Sequence, residues 1–254
     1  MRKGEIIAPQ VIILSSIIVL IAFLIRGLTG FGSGLLAVPT LLLFLDRKLV
    51  VPTAASLAVL SGILLISTFR TRKWVRKDVL LMMVGGAILG TPVGTYVLAS
   101  YTSSLLERLF GVFISGYALR LLFWNKKSNR KISNYVGLIA GFLGGCLGGM
   151  FATGGPPVII YLNSKIDDKR AFRATLTLYF LIANSWQYVT YLYMGLINGE
   201  VLGFAAWLLP SFVIGGLAGS FMHIKINQVL FDRIVALVLL ITGIMLMLNL
   251  RHVQ

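Results

Sequence analysis

The chain has 254 residues, 57% of them apolar and only 12% charged, with 23 basic and 8 acidic side chains and a net charge of +15. A soluble domain carries roughly 25% charged residues, so the composition excludes a large soluble domain and matches about eight membrane-spanning segments of about 20 residues each. The basic residues lie in short loops with no basic, aromatic-lined face, which argues against nucleic acid and for a polytopic all-α protein whose surroundings are the lipid bilayer.

In chain order the apolar blocks run over residues 6–45, 49–69, 79–99, 105–124, 135–162, 174–195, 201–222 and 229–250. The first block continues past 20 residues with no small-residue cleavage pattern, so it is expected to remain in the mature protein. Six blocks are of single-helix length. The first and fifth are longer, and each is interrupted by a glycine-rich stretch, Gly27-Leu-Thr-Gly-Phe-Gly-Ser-Gly34 and Gly144-Gly-Cys-Leu-Gly-Gly149, followed by Pro39 or by Pro156 and Pro157. Glycine and proline at this density break a helix, and broken backbone at membrane depth persists only where protein or a polar cavity satisfies it.

The interruptions recur. Gly30 and Pro39 match Gly148 and Pro157, and Gly90, Gly94, Glu107 and Arg108 match Gly215, Gly219, Asp232 and Arg233. The chain therefore reads as a first repeat over 1–124 with an N-terminal helix extension, a basic linker over 125–134 and a second repeat over 135–254. Each repeat is a broken hairpin plus three transmembrane helices. Paired interrupted segments at corresponding positions of two halves point to a transporter's binding site.

Basic loops at 70–78, 125–134 and 163–173 are expected on the cytoplasmic side of the cytoplasmic membrane. That placement requires block 135–162 to begin and end on one face, as a re-entrant hairpin with arms of about 14 residues. It also makes the second repeat inverted relative to the first and places the C-terminus outside. The 14 basic residues assigned to the cytoplasm, Lys225 included, outnumber the 5 in external loops and termini.

The stretch Thr29-Gly-Phe-Gly-Ser-Gly-Leu-Leu-Ala-Val-Pro39 and its second copy Gly148-Gly-Met-Phe-Ala-Thr-Gly-Gly-Pro-Pro157 resemble the TauE/SafE sulfite exporter family, with Ser33 where a further glycine is common. The resemblance spans about residues 20–248. It implies a membrane permease that moves sulfite, sulfonates or other small sulfur-containing organic anions across the cytoplasmic membrane.

A small oxyanion in a membrane needs hydrogen-bond donors and positive potential, and half-helix N-termini provide both. The expected anion site therefore comprises Gly30, Gly32, Ser33 and Gly34 from one hairpin and Thr153, Gly154 and Gly155 from the other, unless these glycines serve only close helix packing. Arg26, inside the longest apolar block, is either the cation that attracts the substrate or a side chain that snorkels to an interface. Asn184 and Gln187, three apart on one helix, are candidates for pocket lining or for interhelical hydrogen bonding, as are Thr53 and Ser56 in the first half. Glu107, Arg108, Asp232 and Arg233 read as gates or as helix anchors, and Pro39, Pro156 and Pro157 as structural breaks.

The single Cys146 excludes an internal disulfide, and neither His223 nor His252 has a partner in metal-ligand or catalytic spacing, so no metal, cofactor or enzymatic activity is expected. No Asp or Glu falls at the centre of an apolar block. Outward movement of an anion from an inside-negative cell is favoured by about 2.3 kcal/mol per charge per 100 mV, so the leading reading is an exporter working by alternating access, its halves rocking about a midplane site. A proton-coupled importer of the same anions, a non-transporting membrane subunit and an intramembrane enzyme are the alternatives, and self-association into a homo-oligomer is left open.

Overall fold

The computed structural model describes residues 9–68, 71–101, 104–123, 133–221 and 228–248. Most of the 125–134 linker, Arg70, Lys225, both histidines and the C-terminus lie outside the described residues, as does the side chain of Asp232. Among the described residues there are ten α-helices and no strand: α1 (Pro9–Thr29), α2 (Ser33–Leu41), α3 (Arg47–Thr68), α4 (Lys77–Ser100), α5 (Ser104–Phe123), α6 (Tyr135–Phe151), α7 (Gly155–Lys165), α8 (Lys169–Tyr193), α9 (Gly199–Phe221) and α10 (Gln228–Met247).

Four of them, α1, α3, α4 and α9, include stretches long and apolar enough to cross a membrane. Leu81, Leu89, Trp207, Ile214 and other large apolar side chains point outward from the bundle. A face of that kind is stable against hydrocarbon and costly against water, so the chain is a multi-pass membrane protein. Pro52, Pro92 and Pro210 lie within α3, α4 and α9, a use of proline that membrane helices tolerate where neighbours satisfy the freed carbonyls.

The first block breaks within its glycine-rich stretch, whereas the second breaks only at residues 152–154, because the run 144–149 stays helical inside α6 and its glycines serve packing. In the first, 21 residues of α1 are followed by a turn at residues 30–32 and by only 9 residues of α2. In the second, α6 has 17 residues and α7 has 11, in place of two equal arms of about 14. The chain folds back at each break. A Cβ on Gly144 of α6 would stand 2.8 Å from Val158 of α7, and one on Gly137 would meet the Tyr161 ring at 2.9 Å. The basic loop expected over 163–173 is shorter than its sequence suggests. Lys165 ends α7, and Asp168 caps α8 by accepting from the Ala171 N–H at 2.8 Å, which places Arg170 and Arg173 on the helix.

Glycine decides how the helices pack. Gly86, Gly90 and Gly94 form one face of α4, and Gly141, Gly145 and Gly149 one face of α6, each at four-residue spacing. A Cβ at any of the six would overlap or crowd the opposing backbone, for example at 2.5 Å from the Thr91 carbonyl oxygen for Gly149 and 2.8 Å from that of Ala87 for Gly145. Small residues at this spacing let membrane helices meet backbone to backbone. Gly27 of α1 meets Gly219 of α9 in the same way, with Gly215 against Leu20, while Gly111 of α5 meets Gly243 of α10. The principal neighbours are thus α4 with α6, α1 with α9, α5 with α10, and α8 with both α3 and α4.

Candidate functional site

The two breaks meet in the interior. Gly34, in the first turn of α2, packs against the Ala152 carbonyl so closely that no Cβ would fit, and the Thr153 hydroxyl lies 3.4 Å from the Gly34 carbonyl oxygen. Beside this junction is a cleft of about 630 Å³ of empty volume including its open mouth. It gathers residues from seven helices and both turns, among them Arg26, Gly32, Ser33, Gly34, Thr153, Gly154, Gly155, Asn184 and Gln187.

The first turn demands glycine. Gly30 and Gly32 have φ of 87° and 99°, in the left-handed region that L side chains avoid. No side chain caps α2, so the N–H groups of Ser33, Gly34 and Leu35 have no acceptor within the helix, and all three residues line the cleft. The α7 terminus is different. Pro156 and Pro157 occupy its first turn and have no N–H to offer, leaving Gly155 as the principal free donor. The second turn reverses through Ala152 at φ 50°, a non-glycine residue in the left-handed region.

Arg26, at the end of α1, is buried, and its guanidinium turns into the protein. Nη1 donates to the Ser33 hydroxyl oxygen at 3.1 Å and Nη2 to the Ala58 carbonyl at 3.3 Å, while Nε has no partner among the described residues. Its guanidinium carbon also lies 5.9 Å from the centre of the Phe23 ring. No carboxylate lines the cleft, so Arg26 is the one formal charge on its described wall. Because Ser33 accepts from Arg26, the serine proton is free to face the cleft. The Thr153 proton is engaged, since Thr153 donates to the Phe151 carbonyl at 2.7 Å.

The far wall is α8. The Gln187 amide nitrogen donates to the Tyr191 hydroxyl at 2.7 Å, and that hydroxyl donates to the Gly149 carbonyl at 2.8 Å. The chain of bonds ties α8 to the end of α6 and leaves the Gln187 carbonyl oxygen beside Gly148, 3.5 Å from where a Cβ on that glycine would stand. Asn184 and Gln187 therefore do share a surface, and it is the cleft's. Thr91, Tyr179 and Phe180 also line it. Tyr179 is buried, its ring 5.5 Å from that of Phe180. Nothing in the sequence distinguishes these three from core residues; only the convergence of α4 and α8 on the α6–α7 break brings them in.

Several expected site residues lie elsewhere. Gly30 is in the turn but off the cleft wall, near the Thr177 hydroxyl. Thr53 is on α3, in a second, smaller cavity that also touches Ser33 and Gly34. The Ser56 hydroxyl is taken up by the Pro52 carbonyl at 2.8 Å. Pro39, Pro156 and Pro157 are in α2 and α7 as expected. Glu107 is buried and Arg108 exposed on α5, Arg233 is exposed on α10, and none of the three lines either cavity.

No curated protein and no solved structure matches the chain significantly. The sequence pattern of the family described as "Sulfite exporter TauE/SafE" matches residues 15–246, nearly the whole of the chain and both glycine-rich breaks. That family is one of membrane transporters, and an all-helical bundle with an outward apolar face and an interior cationic cleft accords with it. The chain belongs to the TauE/SafE sulfite exporter family.

Proposed function

We propose that the chain exports small sulfur-containing anions such as sulfite, thiosulfate or organosulfonates across the cytoplasmic membrane, as a secondary transporter that works by alternating access around the cleft. The observation that carries this reading is the combination of Arg26 with the uncapped α2 terminus. A cation without a counter-charge, a free serine proton and three backbone N–H groups lie on one wall, a donor set suited to an oxyanion. Gly32, Ser33, Gly34 and Arg26 form the anion-binding wall. Gly154 and Gly155 shape the opposite one, while Asn184 and Gln187 offer amides across the gap. Thr153 holds the second turn. Gly30 sets the first turn, and Ser56 stabilises α3 beside Pro52.

The packing supports a repeat of residues 1–124 and 135–254 joined by 125–134. Exchanging α1–α5 for α6–α10 turns the α1–α9 pair into α6–α4 and leaves the α3–α8 and α5–α10 pairs unchanged. We infer an inverted repeat in which α1–α2 is a broken hairpin with one membrane-length arm and α6–α7 a re-entrant hairpin, with 70–78, 125–134 and 163–173 in the cytoplasm and the C-terminus outside. Glu107, Arg108 and Arg233 anchor helix ends. The absence of a carboxylate from the described cleft wall favours export driven by the membrane potential over proton-coupled import.

Purified protein in liposomes tests the proposal. Loaded sulfite, thiosulfate or a short sulfonate should leave faster than from protein-free vesicles, and faster still when the potential draws anions out. If none of these anions moves under a gradient of either direction, the transport reading fails.

A further inference from the structure

Four buried side-chain polar atoms lack a partner among the described residues: Ser15 Oγ, Arg26 Nε, Thr53 Oγ1 and the Tyr161 hydroxyl. Three of them lie along one route. Arg26 is in the cleft. Thr53, 2% exposed, lines the second cavity, about 290 Å³ of empty volume between α1, α2, α3 and Leu208 of α9. Ser15 is fully buried on α1. It is four residues before Val19, which lines that second cavity together with Phe23, and positions 15, 19, 23 and 26 share one face of a helix. Buried hydroxyls in native proteins almost always have a partner. An orphaned hydroxyl on a cavity wall, with the unpartnered Arg26 Nε in the adjoining cleft and a second orphaned hydroxyl one helical turn beyond Val19, points to an intermittent partner.

The two cavities share a wall. Ser33 and Gly34 line both, so the α2 terminus is the partition between them. We propose that the substrate path continues from the cleft past this partition into the second cavity, where the Thr53 hydroxyl is the next group to receive the anion, and then along the α1 face towards Ser15. The proposal rests on the transport reading of the cleft. Apart from Thr53 and Ser33 the second cavity is walled by apolar side chains such as Phe23, Leu41, Leu57 and Leu208. One hydroxyl in such a setting holds an anion weakly, which suits a station in transit, because passage requires sites that release as readily as they bind. The same apolar residues close the route in this conformation.

Single cysteines placed on a Cys146→Ser background test the path with a membrane-impermeant, anionic methanethiosulfonate reagent. Thr53→Cys should react at least ten-fold faster than Ala118→Cys, which is fully buried on α5 and lines neither cavity. A smaller ratio overturns the proposal. Ala54→Cys, on the wall of the same cavity, takes the place of Thr53→Cys if that variant does not fold. Asn184→Cys reports on the cleft itself. Reaction at 184 without reaction at 53 or 54 removes the path and leaves the cleft reading intact, whereas silence at 184 as well removes both.

Discussion

Arg26 and Ser33 face each other across the first glycine turn, the guanidinium donating to the serine hydroxyl oxygen at 3.1 Å. The bond leaves the serine proton free for another acceptor and holds a cation where no carboxylate among the described residues lines the cleft. An unneutralised buried charge costs stability, so Arg26→Ala should leave the melting temperature unchanged or raise it. Anion efflux should nevertheless fall at least about ten-fold, in line with the roughly 1.5–3 kcal/mol carried by a hydrogen bond to a charged group. Arg26→Lys keeps the charge without the planar fork and should fall between. Efflux assays and thermal unfolding on the same preparations check both halves, and undiminished efflux from Arg26→Ala would remove the site.

The glycines divide into two classes by what surrounds them. Gly90→Val or Gly145→Val drives a branched side chain into the opposing backbone of the α4–α6 contact, and overpacking of this kind costs about 1–3 kcal/mol or more. Gly116, Gly203 and Gly216 are helical and open to space. Alanine there should be neutral or stabilising by up to about 1 kcal/mol. Unfolding temperatures in detergent separate the classes; equal losses in both would show that the zipper is not what holds these helices.

The two turns should respond oppositely to the exchange of glycine and alanine. Gly32→Ala has room for its methyl group but must hold it at φ 99°, a conformation that costs an L residue roughly 1–2 kcal/mol. Ala152→Gly relieves a left-handed alanine at φ 50° and should gain a fraction of that amount. Thermal unfolding with a shift of the same sign for both variants would contradict the assignment.

Tyr191→Phe cuts the chain from Gln187 to the Gly149 carbonyl. Leaving the buried Gln187 amide without its partner should cost about 1–3 kcal/mol. It should also slow efflux, because the freed amide no longer holds its oxygen towards the cleft. Loss of stability with unchanged efflux would assign Gln187 to packing alone.

How far the primary structure reveals this arrangement differs by residue. The break at residues 30–32 is legible because glycine density is a local property of the chain, whereas the second lies at 152–154, beyond the glycine run 144–149, which is spent on helix packing instead. Arg26 is conspicuous because a cation within a long apolar block is rare. The equality of the hairpin arms is not legible, since apolar length does not show where a helix ends and its partner begins. Thr91 and Tyr179 are invisible too, because ordinary residues become cleft walls only through the pairing of helices far apart in sequence. Thr53 and Ser56 show the same limit from the other side. Both were candidates by polarity, yet a turn of helix and a nearby carbonyl send them to different fates.

The glycine zippers also set which parts can move as one. Helix α6 of the second half is locked to α4 of the first, and α1 of the first half to α9 of the second. A hinge that parted residues 1–124 from 135–254 would have to tear these two seams open at once, together with the contact of Gly111 on α5 with Gly243 on α10. Motion that spares them carries α4 with the α6–α7 hairpin as one body and α9 with the α1–α2 hairpin as another. The mechanical halves are then interleaved along the chain, and the sliding boundary between them passes through the point where Gly34 touches Ala152.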